Sequence, residues 1–182
     1  MMTKINMGCG WRNFGPDWIH IDGGDYPHLD HSRVDNLSQF EDETVDVIYA
    51  SHVLEYFNID EAQAVLKEWK RVLKTGGTLR IAVPDFSKIS KLYSEGRFPL
   101  SKFIGPLYGR MDMGEFSIYH KHVYDEDSLR GLLVNVLGFK NYQRYDWRKT
   151  DHAAFDDHSQ AYLPHMDKEN GTLISLNVEC IK

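Results

Sequence analysis

The chain has 182 residues, 42% hydrophobic and 26% charged, a size and balance suited to one compact domain that buries roughly two thirds of its unfolded surface. A formal net charge of -6 argues against a protein that grips nucleic acid by phosphate neutralisation, which needs clustered Lys and Arg. Two cysteines are too few for a disulfide framework, no apolar run approaches the roughly 20 residues that span a bilayer, and Met1 to Lys4 leaves no room for a signal peptide, so a cytoplasmic protein working away from membranes is expected.

Taken in chain order, a short apolar run ends in Asn6-Met7-Gly8-Cys9-Gly10, and a second, Ile19-His20-Ile21, ends in Asp22. A glycine turn lets backbone approach a ligand, and an acid closing the next strand can accept from ribose hydroxyls, so the pair points to a nucleoside-containing cofactor at the carboxyl edge of a parallel sheet. The segments Gly10 to Trp18 and Asp22 to Arg33 are too short for crossover helices, which take about ten or more residues with their loops. One face of the amino-terminal half-sheet is therefore left to Trp11, Phe14, Trp18 and Tyr26, and a second copy of the chain, in a homodimer, is one way to cover it. Val45 to Ala50 reads as a strand buried on both faces. A helix is predicted from an Asp60 cap, with Gln63 in the capping-box position and Ala62, Val65, Leu66, Trp69, Val72 and Leu73 forming its apolar stripe. Gly76-Gly77 stops that helix, and Thr78 to Val83 forms the next buried strand.

In the second half, a helix is expected after Asp85 with Ile89, Leu92 and Tyr93, and another over 125–137 capped by Gly138. Phe139 to Trp147 and Thr172 to Ile181 are candidate strands; alternation in the latter predicts an antiparallel pairing with one wetter face. Tracts 97–119 and 148–171 carry little periodicity and are read as lids on a single domain over 1–182.

The set formed by the glycine turn, the acid-ended strand, Val34-Asp35-Asn36-Leu37, and Asp46-Val47-Ile48-Tyr49-Ala50-Ser51-His52-Val53-Leu54-Glu55 resembles the class I, Rossmann-like S-adenosylmethionine-dependent methyltransferases, in the small type with a D-x-I-x-x-S-H-V-L-E segment. The resemblance covers about residues 3 to 85 and continues more loosely to Gly138-Phe139. It implies an α/β three-layer sandwich on a mostly parallel seven-stranded sheet, with an antiparallel last strand inserted between the fifth and sixth and reduced helices in the amino-terminal half. It also implies S-adenosylmethionine as cofactor and S-adenosylhomocysteine as product. Gly8, Cys9 and Gly10 then match the turn beneath the methionine part, Asp22 the ribose acid, and Asp35 with Asn36 or Leu37 the adenine contacts. Ser51 and His52 match the end of the fourth strand, beside the sulfonium. Asn6 stands where the family usually has an acid, which removes a charge favouring the cofactor's ammonium group.

Methyl transfer from a sulfonium needs alignment, water exclusion and, for a hydroxyl acceptor, a base of near-neutral pKa, for which histidine is suited. His52, at the carboxyl end of a strand, and His120 and His122, just before the third helix, are the candidates. Imidazoles at 120 and 122 also suit a metal, but no third ligand is identifiable by spacing, so no metal is expected. Asp151, His152, Asp156, Asp157, His158 and His165 read mainly as a solvated loop on the second lid. Abundant tyrosines in the lid tracts, and a closing segment similar to methyltransferase-like proteins encoded with polysaccharide-building enzymes, tilt the acceptor towards a small or saccharide-like molecule methylated at oxygen. The alternative is a noncatalytic S-adenosylmethionine-binding or interaction module, motivated by Asn6 and the short crossovers.

Overall fold

The computed structural model describes residues 2–182 and forms one main sheet of six strands. The ten strands in chain order are β1 (Lys4–Met7), β2 (Ile19–Ile21), β3 (Val45–Ser51), β4 (Leu73–Pro84), β5 (Met111–Asp112), β6 (Ser117–Ile118), β7 (Lys140–Arg144), β8 (Tyr162–Leu163), β9 (Thr172–Leu173) and β10 (Ser175–Ile181). The helices are α1 (Ile59–Val72), α2 (Phe86–Ser94), α3 (Ile104–Tyr108) and α4 (Glu126–Arg130), the last continuing as a wider π-helical turn over Gly131–Val136. Strands run in the order β2-β1-β3-β4-β10-β7, with β10 antiparallel to both β4 and β7 and the other pairs parallel. This is the Rossmann-like arrangement, with the last strand inserted as expected.

The sheet has six strands rather than the expected seven, and no strand forms between β2 and β3, where segment 34–37 lies. Backbone groups there are taken by α1 instead of by the β2 edge: Trp69 Nε1 donates to the Val34 carbonyl, Arg71 to the Leu37 carbonyl, and the Leu37 amide to Glu68 Oε1. The β2 edge is meanwhile closed by Asp30, whose Oδ2 accepts from the His20 amide. β3 therefore stands where the fourth strand was expected.

The cap of helix α1 lies two residues before the predicted one, because Asn58 and Glu61 form the capping box and leave Asp60 in the first turn. Its apolar stripe packs on Ile5, Met7, Ile48, Ile81, Leu176 and Cys180, giving the main core on one face of the sheet. The second core lies on the opposite face. There Phe14 and Trp18 pack on Tyr49, with Val47, Tyr145 and Phe155 around them, and the Phe14 amide donates to His20 Nε2 at 2.8 Å. No helix occurs between β1 and β3, so this face is covered by the 8–18 loop and by the chain's own 147–160 tract. Asp151 of that tract reaches Lys4 at 3.0 Å and Arg80 at 3.4 Å, and the His152 ring stacks 4.0 Å from Tyr49.

Two expectations change as a result. The aromatic face is covered in cis, although Trp11 itself is exposed, and the polar side of β10 is not wet: Ser175 and Asn177 are buried beneath the second lid. His152, Asp157 and Ser159 are buried with them, whereas Asp151, Asp156, His158 and His165 of the cluster are exposed.

Candidate functional site

The glycine turn and Asp22 meet at the carboxyl edge of β1 and β2. Gly8 and Gly10 adopt φ of 62° and 56°, conformations open to glycine and strained for most residues. Gly8 is also required by packing, since a Cβ there would lie 2.2 Å from Val53 Cγ2. The Gly8 and Cys9 amides donate to the Ile21 carbonyl, while the Gly10 amide donates to Asp22 Oδ2 at 2.8 Å. Asp22 Oδ1 accepts from the Gly24 amide at 2.7 Å. The carboxylate thus locks the turn to the end of β2, and each oxygen keeps a lone pair for another donor. Met113, from the β5–β6 hairpin of the first lid, lies against Gly23 beside it.

The other predicted cofactor residues are distributed around this edge. Asn6 is buried on β1 with its Nδ2 unpartnered. Cys9 is buried, 3.7 Å from His28 Nε2, and burial pushes its thiol up to about 12. Asp35 is engaged by Arg33 through two contacts of 3.0 and 2.7 Å, which holds its carboxyl below the usual range. Asn36 Oδ1 caps the Ser38 amide, and Leu37 is fully buried with its amide on Glu68. Ser51, at the end of β3, faces Asp157 Oδ1 at 3.4 Å.

A cavity of about 510 Å³ opens between the two lids and the end of β3, and Arg12, His52, Tyr56, His120 and His158 are among its walls. His52 has φ of 55°, left-handed for a non-glycine residue, and this places its ring in the wall just past β3. His52 Nε2 lies 3.2 Å from Ser175 Oγ and its Nδ1 3.4 Å from Glu55 Oε1. His120 Nδ1 sits 3.0 Å from the Pro106 carbonyl, and its ring occupies the space a side chain at Gly109 would need, 1.8 Å from a Cβ built there. Burial lowers the pKa of both histidines, with the neighbouring imidazoles adding to the effect. His122 is turned away, edge-on to Tyr124 at 4.7 Å between ring centroids.

Sequence reasoning did not single out Glu55, and took Asp157 and His158 mainly as part of a solvated loop. Asp157 latches the second lid, accepting from the Tyr49 hydroxyl at 2.6 Å and the Ser159 amide at 2.8 Å. His158 stacks loosely on His52, ring centroids 5.2 Å apart. Arg12, Lys102 and Arg110 also line the cavity; Arg12 donates to a backbone carbonyl and Arg110 to the Ser117 hydroxyl, contacts that leave their charge unbalanced. Glu55 was in view only as the last letter of the S-H-V-L-E segment. No group of three or more His, Cys, Asp or Glu side chains among the described residues is arranged to hold a metal ion. No helix among them is long and apolar enough to cross a membrane.

The fold, with its strand order and glycine-turn edge, is that of the S-adenosylmethionine-dependent methyltransferases. A methyltransferase-domain family profile matches residues 20–81, which spans β2, β3, α1 and most of β4. No curated protein matches the chain significantly. Among solved structures, it is similar to a SAM-dependent methyltransferase from Archaeoglobus fulgidus, with 12% identity, TM-score 0.60, and coverage of 100% of this chain and 86% of the other. It is also similar to an S-adenosylmethionine-dependent methyltransferase from Mesorhizobium loti, with 15% identity, TM-score 0.55 and coverage of 100% and 91%. A third is the Burkholderia thailandensis 1,6-didemethyltoxoflavin-N1-methyltransferase with bound 1,6-didemethyltoxoflavin and S-adenosylhomocysteine, with 13% identity, TM-score 0.55 and coverage of 99% and 70%.

Proposed function

We propose that this chain is an S-adenosylmethionine-dependent methyltransferase that acts on a small acceptor, at oxygen, with a saccharide-like molecule as the favoured class. The observation that carries this reading is the lock between Asp22 and the Gly8 to Gly10 turn, set at the sheet edge beside the cavity that His52 enters. The residues fit the cofactor: Asp22 has lone pairs left for ribose hydroxyls, the turn has no side chains to obstruct the methionine part, and Arg12 follows it as a cation for a carboxylate. Asp35, Asn36 and Leu37 are assigned to the adenine end, and Ser51 to the sulfonium side with Asn6 beneath. When bound, the cofactor supplies an already activated methyl group.

The work left to the protein is alignment and proton removal. His52 and His120 line the cavity and are held largely neutral by burial; His52 is tied to Ser175 and Glu55, and His120 is the stronger candidate to take an acceptor proton. His122, facing Tyr124, is the weakest of the base candidates. The lids exclude water from the same space. Lys102 and Arg110 suit an acceptor that carries an acidic group, and the tyrosines nearby offer faces on which a sugar ring can stack. The noncatalytic reading is favoured by one feature, the unpartnered amide of Asn6 in place of an acid.

Isothermal titration tests the cofactor assignment directly. S-adenosylhomocysteine should bind the wild-type protein, and Asp22→Ala should weaken binding by about tenfold or more, as expected for losing a charge-assisted hydrogen bond. Absence of binding at millimolar ligand would sink the assignment. Binding without transfer of labelled methyl to any acceptor in a broad extract would favour the noncatalytic module.

A further inference from the structure

Behind the cavity wall, the Glu55 carboxyl lies 1% exposed between two imidazoles, 3.4 Å from His52 Nδ1 and 3.8 Å from His120 Nε2. Neither of its oxygens has a hydrogen-bond partner, and no Lys or Arg among the described residues approaches within 4.0 Å. An isolated buried carboxylate is very costly, so either a cation or a proton must be present. Burial of both imidazoles disfavours the cation, and with neutral rings the surrounding hydrogen bonds fix where each ring proton sits.

The Ser159 carbonyl can only accept, and it is 2.8 Å from Asn177 Nδ2, which fixes the orientation of that amide. Asn177 Oδ1 then accepts from the Ser175 hydroxyl at 2.8 Å. With its proton spent, Ser175 Oγ accepts from His52 Nε2–H at 3.2 Å. In neutral His52 the Nδ1 facing Glu55 is therefore a bare lone pair. The same elimination applies to His120: its Nδ1 must donate to the Pro106 carbonyl, leaving Nε2 bare on the side of Glu55. Two acceptor nitrogens turned towards one carboxyl require that the carboxyl bring the hydrogen.

We infer that Glu55 is a neutral carboxylic acid whose proton faces His52 Nδ1 and His120 Nε2, making it the positioning residue that fixes both imidazole tautomers in the cavity wall. Burial acts in the same direction, pushing its pKa up to about 8 against a small opposing effect of its own backbone amide. The other groups around it are phenols: Tyr124, with an unpartnered hydroxyl, and Tyr56, which donates to the Gly109 carbonyl. Neither can neutralise a carboxylate as a cation would.

The catalytic use of this arrangement rests on the methyltransferase reading. There, His120 Nε2 would accept the proton of the acceptor hydroxyl as the oxygen–carbon bond forms and the donor's carbon–sulfur bond breaks, the charge then staying as an imidazolium beside Glu55. Loss of the Glu55 proton to solvent, followed by transfer of the His120 proton to the Glu55 carboxylate, restores the neutral imidazole and the neutral acid after turnover.

Infrared difference spectra and nitrogen NMR of the histidines test the protonation state without a substrate. At pH 7 the wild-type minus Glu55→Gln spectrum should contain the carbonyl stretch of a protonated acid, and that band should vanish as pH rises through about 8. His52 should carry its proton on Nε2 in the wild type and in Glu55→Gln, whose side-chain N–H replaces the acid as donor, and should lose that single tautomer in Glu55→Leu. A carboxylate band at pH 6, or a wild-type His52 protonated on Nδ1, would overturn the inference even if Glu55→Leu does not fold. Failure of S-adenosylhomocysteine to bind would overturn the methyltransferase reading and leave these two spectra as they are.

Discussion

His152 shows what a single buried imidazole costs. Its ring is stacked against Tyr49 and Phe14, its Nε2 has no partner, and burial lowers its pKa to about 4. Because the folded pKa lies below the unfolded value of 6.5, the unfolded chain binds more protons between pH 6.5 and 4, and stability falls as pH falls through that window. His152→Phe keeps the stack and removes the titration, so thermal melts of the variant should lose much of this acid sensitivity, of order 1–3 kcal/mol at pH 4. Glu55 has the opposite sign. Its folded pKa is raised from 4.5 to about 8, so stability falls as pH rises between those values, and Glu55→Gln should flatten the melting profile from pH 6.5 to 8. Equal slopes for wild type and Glu55→Gln in that range would contradict a buried neutral acid.

Among elements, the second lid is the one whose behaviour sequence reasoning missed most. Strand β3 and helix α1 were legible because continuous burial and a 3.6-residue stripe leave a clear pattern, and the glycine turn with Asp22 was legible because backbone approach requires those residue types. The 147–160 tract has no such period. Its place is decided by long-range pairs, Asp151 with Lys4 and Arg80, and Asp157 with Tyr49, which lie 71 or more positions apart in the chain. Segment 34–37 stays off the sheet for the same kind of reason, since Glu68, Trp69 and Arg71 capture its backbone from α1. Asp157→Ala should release the latch and leave the Tyr49 hydroxyl buried without its acceptor, costing about 2–4 kcal/mol. Hydrogen exchange should then speed up over 150–160 and stay slow in α1; unchanged protection of the lid would refute the latch.

At the scale of the whole molecule, the aromatic face is already occupied by the chain itself, which removes the reason for a second copy to cover it. Light scattering should return a single-chain mass of 21.2 kDa at micromolar concentration, and a dimer mass would point to an interface elsewhere. The order of the sheet carries one more implication. β7 has no strand partner except β10, and β10 also covers one side of β4, so β7 joins the sheet only once β10 is in place. A ribosome-tethered chain halted at Gly171 would expose one edge of β4 and hold β7 without a partner. Such an intermediate is an invitation to chaperones, and deletion of β10 should be far more damaging to the cell's yield of this protein than loss of a comparable stretch from a surface loop.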